Sequence, residues 1–565
     1  MKLSSMHDPQ QTADRFDAIL DSYYKAWFRY HPEQAVEVGH DACADRLMPY
    51  GDDDMGALIT LNRELIFSLE ELDAEALDAD RLIDYELVWS SAALETEELL
   101  EADWRYLDPE CYLPVEAIYQ LLVRPVSNFE QALASRLASI PQYLRGARQK
   151  LGTQAEKIPA LWIKSSLQTA REGACFIRSI PRHPRLSECD QAIPELAGLV
   201  SKAATALENF ASCIESDLLP KAAGDFACGE RHFGHILGFQ HFLDVNQDRI
   251  HALGQELYEE TASRLREACM VLNGNDDVAA MTAKLAENHP SADQLLDSYR
   301  QSMLDARAFV EKKDIVSLPE TETLSIIDTP AFLRHEIPFA AYDEPLPNDP
   351  RQQAWYYVTP CNEAEQLAQH DYASIAQTCV HEAWPGHHLQ FVTANMNPVA
   401  RSLPRLLNPS ATLYEGWALY CEQMMLEQGF SQTPEQEFIM LRDRLWRAMR
   451  IMLDVELHCR GLSIEDAAKR MVDGLGMQHE QAVADLTWYT RSPGVPMGYA
   501  TGWAIINCLR ERQMAEQGDG FSLKSFHDAL LSGGSMALAL VIRRVFGDEA
   551  WADVESEVFS VEKAD

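Results

Sequence analysis

The residues that most restrict how this chain can fold are Thr378-Cys-Val-His-Glu-Ala-Trp-Pro-Gly-His-His-Leu-Gln390. His381, Glu382, His387 and His388 crowd into one otherwise apolar segment. Burying a polar group without a partner costs kilocalories, and a metal ion is one partner that satisfies several at once. The nearest pattern of known mechanics is His-Glu-x-x-His on a helix. There two histidines one turn apart bind Zn²⁺ and the Glu is the general base.

This chain departs from that spacing. The position four after His381 is Pro385, which cannot ligate. Pro385 also lacks an N–H, and its ring would meet the carbonyl of residue 381, so a kink or bulge is expected. Gly386 loosens the backbone further. The reading is that Pro-Gly loops out and His387 takes the place of the second histidine. The alternative is His388, which on an unbroken helix would share the face of His381 but lie about 10.5 Å further along. That is a long span for two ligands of one ion. The histidine left over is expected to orient a ligand or touch substrate.

A third ligand is offered by Leu413-Tyr-Glu-Gly-Trp-Ala-Leu-Tyr-Cys-Glu422, which reads as a helix carrying Glu415. The stretch between holds Asn397-Pro398, Pro404 and Asn408-Pro409, which signal turns. Two histidines, a Glu from a following helix and an open fourth position describe a catalytic zinc site rather than a closed structural one.

His-Glu-Ala-Trp-Pro-Gly-His-His-Leu-Gln followed by Glu-Gly-Trp-Ala-Leu-Tyr resembles the bacterial domain-of-unknown-function 885 family. More distantly it resembles the gluzincin metallopeptidases, where a helix of Glu-Gly-Phe-Ala type supplies the third zinc ligand. Gly229-Glu230 with Ile250-His-Ala-Leu-Gly254 resembles the family's middle region. Tyr489-x-x-x-Pro493-Gly494 and Tyr499-x-x-Gly502 resemble its C-terminal signature. The family has Arg before the first of those tyrosines; here it is Trp488, with Arg491 as the stand-in. The gluzincin resemblance implies helices enclosing the site and oligopeptides, rather than folded proteins, as substrates.

Charge excludes other classes. Acidic residues number 88 against 48 basic, a formal net charge of −40, and such a surface repels nucleic acid and anionic membranes. The N-terminus Met1-Lys-Leu-Ser-Ser-Met-His-Asp-Pro9 has no apolar core and is not read as a secretory signal. No apolar run approaches a membrane span. The 12 cysteines include no Cys-x-x-Cys pair, so neither a zinc ribbon nor a redox motif is expected. Free thiols in a reducing cytoplasm are expected, with Cys379 packed in the core. Oligomeric state is left open.

From Gln11 to about Ile315 apolar residues recur at helical spacing, as in Phe16, Ile19, Leu20, Tyr23, Tyr24 and Trp27. Leu82 to Leu100 and Phe129 to Leu151 read likewise, with Pro114, Pro125, Pro141 and Pro159 as punctuation. His232, His235 and His241 are read as a helix edge rather than a second metal site. Pro319, Pro330, Pro338, Pro345, Pro347 and Pro350 then break helices around two strand-like runs, Leu324 to Ile327 and Trp355 to Thr359. This small sheet either offers an edge to an extended substrate or buttresses the metal helix. Glu437 to His458 reads as a long amphipathic helix, Ser463 as a helix cap, and Trp488 to Tyr499 as a loop between helices.

A carbonyl attacked by water develops an oxyanion that needs a donor. Tyr499, Tyr489 and Arg491 are the candidates, and Glu382 is the base. The expectation is a mainly α protein, a large helical domain around a deep cleft with a small sheet next to the metal helix. Residues 1–320 form an N-terminal helical region and 321–565 the catalytic region, with small sheet, metal-binding helices and C-terminal helices, the two together expected as one structural unit. The expected activity is a Zn²⁺-dependent hydrolase of an amide bond, acting on short peptides. Alternatives are a metal-dependent amidohydrolase of a small non-peptide amide and a metal-binding protein without catalysis.

Overall fold

The structure, a computed structural model, describes residues 9–187, 193–334, 337, 339–361 and 364–560. The N-terminal residues 1–8 and Pro338 lie outside the described residues. The chain is mainly helical and divides into two compact units. The first comprises Met1–Phe226, Pro330–Glu336 and Leu346–Asp349, and the second Ala227–Thr329, Ile337–Pro345 and Pro350–Asp565. Residues 227–320, which the sequence alone groups with the N-terminal helices, pack in the second unit.

The first unit contains α1 (Pro9–Trp27), α2 (Asp52–Glu70), α3 (Ala79–Glu101), α4 (Phe129–Gly152), α5 (Ala160–Ser179) and α6 (Leu196–Cys213). Asp78 caps α3 by accepting the Asp80 and Arg81 amides. Pro141 does not punctuate: α4 runs through it. A mid-helix proline costs about 3 kcal/mol. Burial of Leu133, Leu137, Ile140, Leu144 and Ala147 along one face outweighs that, at about 1.5–3 kcal/mol for each larger side chain.

The second unit begins its framework with α7 (Gln247–Asn273) and α8 (Leu295–Lys313). A three-stranded sheet follows: β1 (Thr323–Asp328), β2 (Ala340–Asp343) and β3 (Gln353–Val358). Its order is β1-β3-β2, parallel between β1 and β3, antiparallel between β2 and β3 with Tyr342 opposite Tyr356. Two of these strands match the strand-like runs of the sequence; β2, an edge, is too short to read there. Next come α9 (Tyr372–Glu382), α10 (His387–Met396), α11 (Ala411–Gln428), α12 (Pro434–Cys459), α13 (His479–Arg491) and α14 (Val495–Gln517). Thr433 caps α12 on the Gln436 amide, with Pro434 in the first turn, where its missing N–H costs nothing.

Two crossings position the site. Gly254 of α7 lies so close to α12 that a Cβ there would stand 2.9 Å from Ile451. Helices α11 and α14 meet through Gly416 and Gly502: a Cβ on Gly416 would stand 2.6 Å from the Gly502 Cα, and one on Gly502 only 2.0 Å from the Thr412 carbonyl. The loop expected over Trp488 to Tyr499 shrinks to Ser492–Gly494, and all three aromatic residues of that stretch sit on helices. Pro496 lies in the first turn of α14, where proline is tolerated, and Gly494 takes the left-handed turn at φ +81°. Buried Asp454 of α12 fixes this start by accepting the Gly494 amide at 3.1 Å and the Met497 amide at 3.2 Å.

Candidate metal centre

Helix α9 is capped by Asp371, which accepts the Ser374 amide, and carries His381 and Glu382 in its last turn. The anticipated bulge within one helix is a full break. Residues 383–386 leave the helical path, and α10 restarts at His387. Gly386 makes the turn tight enough, since its amide donates to the Val380 carbonyl at 3.0 Å and a Cβ would lie 1.8 Å from the His381 carbonyl oxygen. The Pro385 carbonyl, which a continuous helix would have used, instead accepts the Trp417 indole N–H of α11 at 2.8 Å. The break therefore docks on the helix that carries Glu415.

His381, His387 and Glu415 converge. One ligand atom from each lies within 4.8 Å of the other two. Glu415 Oε2 is 3.4 Å from His381 Nε2 and 3.4 Å from His387 Nε2. Ligands set tetrahedrally at zinc distances stand about 3.3–3.4 Å from one another, so the spacing fits one small ion. Glu415 Oε2 is buried without a hydrogen-bond partner, which a metal bond would satisfy. Zinc accepts this donor set of two imidazoles and a carboxylate.

Electrostatics agree with the geometry. Burial disfavours charge on His381, yet the Glu415 and Glu422 carboxylates outweigh it and push its pKa up to about 10. Burial likewise opposes charge on Glu415, but His387 and His381 hold its carboxyl far below the usual carboxylate range. A site that attracts a proton this strongly attracts a dication for the same reason. Glu382 is half-buried, and burial pushes its pKa above the ordinary value, with His381 and His387 opposing.

Glu422 is a functional residue that the motif spacing does not reveal. Its Oε1 lies 2.7 Å from His381 Nδ1, and its Oε2 accepts Gln377 Nε2 at 2.6 Å. Gln377 in turn accepts Gln436 Nε2 at 2.9 Å. With Nδ1 committed to Glu422, His381 presents Nε2 to the cluster. The available signal is position: Glu422 is seven residues after Glu415, on the same helix face two turns on.

His388 does not join the cluster. It is fully buried, with Nδ1 3.1 Å from the Tyr342 hydroxyl and Nε2 3.3 Å from Glu322 Oε2. Tyr499 does approach: its ring lies parallel to that of His381 at 6.5 Å, and burial, with the nearby Glu415 carboxylate, pushes its phenol pKa well above the ordinary value. The glycine crossing between α11 and α14 explains this approach, because Gly502 lies one turn beyond Tyr499 and Gly416 adjoins Glu415.

Tyr489, expected as an alternative donor, is wholly buried elsewhere. Its hydroxyl donates to Asp485 and accepts Arg450 Nε at 2.7 Å, so its only proton is spent. Arg491 is the last residue of α13, and the guanidinium beside Tyr499 belongs instead to Arg450 of α12, 4.6 Å over its ring. Arg450 also lies 5.5 Å over the Trp488 ring. Cys379 is buried with its Sγ 3.6 Å from the Tyr299 carbonyl, and burial pushes its thiol up to about 12. His241 is buried against Ser410 Oγ at 2.9 Å, away from the cluster.

The chain belongs to the family described as "Bacterial protein of unknown function (DUF885)", whose profile matches residues 32–545. No curated protein matches. Among solved structures it is similar to "a putative lipoprotein of unknown function" from Shewanella oneidensis, with 20% identity, a TM-score of 0.76, and 93% of this chain and 98% of that chain covered. It is also similar to "the putative lipoprotein" from Colwellia psychrerythraea, with 17% identity, a TM-score of 0.80, and coverage of 96% and 99%. At these identities the likeness is one of fold. Among the described residues, no helix is long and apolar enough to cross a membrane.

Proposed function

We propose that this protein is a zinc-dependent hydrolase of amide bonds acting on short peptides, with a site of gluzincin type. The observation that carries this reading is Glu415 Oε2 standing 3.4 Å from both His381 Nε2 and His387 Nε2, with Glu382 next in chain to His381. When bound, zinc supplies Lewis acidity that polarises a carbonyl and acidifies water. Glu382 takes the proton of the attacking water and returns it to the leaving nitrogen. Its raised pKa suits a group that must hold that proton between the two transfers. Tyr499 directs its hydroxyl to the oxygen on which negative charge develops. Arg450, stacked on the Tyr499 ring, holds that ring in place and favours electron density on the phenol. Glu422 keeps His381 oriented throughout.

The test is a digest of a mixed peptide library, read by product masses, with zinc-replete wild type beside zinc-replete Glu382→Gln. Wild type is expected to cleave, and the variant to keep one zinc and lose about 10²–10⁴-fold of turnover. A metal-free preparation that cleaves equally well would overturn the reading, as would a fully active Glu382→Gln. Cleavage of small non-peptide amides with no peptide cleavage would move the substrate class while keeping the site. The cytoplasmic location is part of the proposal and is decided by cell fractionation, since both proteins of similar fold are called lipoproteins.

A further inference from the structure

Helix α12 sets three guanidiniums beside the elements of the candidate site. Arg442 Nη2 reaches the Ser374 hydroxyl of α9 at 3.4 Å. Arg450 lies 4.6 Å over the Tyr499 ring, which itself lies parallel to that of His381. Arg447 stands between them in the chain and shares the Trp446 ring with Arg450, at 4.8 Å and 4.3 Å. Two carboxylates answer these three charges. Asp443 accepts Arg442 Nε at 3.0 Å and Nη2 at 2.9 Å. Asp485 accepts Arg450 Nη2 at 3.3 Å. Arg447 is left with the Asp443 backbone carbonyl at 3.3 Å and, at 3.9 Å, an oxygen of the carboxylate that Arg442 already holds. Its Nε is buried without a hydrogen-bond partner.

A guanidinium cannot shed its charge, and a charge largely withdrawn from water needs an opposite charge nearby. The Arg447 side chain keeps only 13% of its surface in contact with solvent. Its charge is felt at Glu382, where burial raises the pKa and Arg447 is among the groups that oppose the rise. Glu382 is no permanent partner, because the base has to take up a proton and release it. Arg447, Trp446 and Glu382 are all partly open, whereas Arg450 is buried. An anion that arrives beside the base therefore finds Arg447 reachable and short of a carboxylate of its own. The anion that every unblocked linear peptide carries is its C-terminal carboxylate, and a planar guanidinium matches that group through two N–H bonds. We propose that Arg447 receives the C-terminal carboxylate of the substrate, which makes the protein an exopeptidase that cuts close to a free C-terminus. The exopeptidase activity rests on the peptide-hydrolase reading; the carboxylate site does not.

The kinetic arm uses a peptide that the library digest shows to be cleaved, made once with a free C-terminus and once as its amide. Wild type is expected to prefer the free acid by about 10–100-fold in kcat/KM, the worth of a hydrogen bond to a charged group, and to release fragments from the C-terminal end. Arg447→Gln is expected to keep one zinc and bring the ratio close to one. Equal cleavage of acid and amide by wild type overturns the proposal. A merely structural role for Arg447 would lower activity on both peptides equally and leave the ratio intact, which overturns it too. If Arg447→Gln does not fold, Arg447→Lys decides: it keeps the charge without the planar fork and is expected to show a smaller preference than wild type, and an undiminished preference counts against the arginine.

The binding arm needs no turnover. Calorimetry on zinc-loaded protein compares N-acetylalanine with N-acetylalaninamide. Wild type is expected to bind the acid more tightly than the amide, and Arg447→Gln to lose that difference. A carboxylate held by zinc alone would bind wild type and Arg447→Gln equally well, and that result overturns the site. If no peptide is cleaved at all, the exopeptidase activity falls with the function reading, while this comparison still decides whether Arg447 takes a carboxylate.

Discussion

Glu422→Gln tests whether the His–His–Glu cluster is a metal centre supported from behind. In wild type, buried Glu422 accepts two hydrogen bonds, from His381 Nδ1 at 2.7 Å and Gln377 Nε2 at 2.6 Å. A glutamine has one acceptor oxygen and one NH₂ in that place, so one of the two donors must face a donor. Gln377 could flip its amide to answer, but its oxygen already accepts Gln436 Nε2, and that nitrogen also serves the Ala373 carbonyl at 3.2 Å. The mismatch moves along the chain without being removed. A buried donor left unpaired costs about 1–3 kcal/mol. If that cost falls on the oriented, zinc-binding form of His381, affinity drops about 5- to 150-fold at 1.4 kcal/mol per tenfold. Loss of such supporting partners typically weakens metal binding about 10–100-fold, which falls in the same range. The assay is a chelator competition at fixed pH, with stoichiometry read by elemental analysis at saturating zinc. The expected result is one zinc per chain at saturation with a dissociation constant raised about tenfold or more. An affinity within twofold of wild type would refute the claim that Glu422 orients a zinc ligand, and zinc-free wild type would refute the centre itself.

Gly386→Ala is expected to cost several kilocalories of stability or to prevent zinc binding, because the new Cβ would lie 1.8 Å from the His381 carbonyl oxygen; thermal melts and zinc content check both. Tyr499→Phe is expected to lower kcat about 10²–10³-fold with KM nearly unchanged, whereas Tyr489→Phe should leave the rate within a few-fold and lower stability instead, since its hydroxyl bridges Arg450 and Asp485. Stability should also depend on Asp454. Burial, against hydrogen bonds from the Gly494 and Met497 amides, pushes its pKa up to about 8 from 3.8. The neutral form is therefore the one the fold prefers; its contribution is full below the unfolded value and is lost as pH rises through about 8. Denaturant midpoints should fall between about pH 4 and pH 8 in wild type and fall less in Asp454→Asn.

The residues of the candidate metal cluster are more legible in the sequence than the residues that surround them, for a physical reason. His381, His387 and Glu415 are polar atoms in apolar surroundings, and that contradiction is visible in one dimension. The mainly α character is visible as well, because amphipathic spacing is local. Tyr499 and Tyr489 cannot be separated in the same way. Both stand near Pro-Gly turns, and what separates them is a helix crossing: Gly416 against Gly502 brings α14 onto the helix carrying Glu415 and carries Tyr499 with it, while Tyr489 lies in the last turn of α13 facing Arg450 and Asp485. The glycines are in the signature, but a contact between residues 416 and 502 is not a property of either stretch. Arg450 teaches the same lesson. The sequence offers Arg491 close to Tyr489 in the chain; the guanidinium that lies over the Trp488 and Tyr499 rings comes from α12. A guanidinium needs only to lie close over the face of a ring, and which helix brings it there is not written in the stretch that carries the ring. Spacing along the chain therefore locates groups that one segment must hold together, such as His381 and His387. It misplaces groups whose distance is set by how two helices cross.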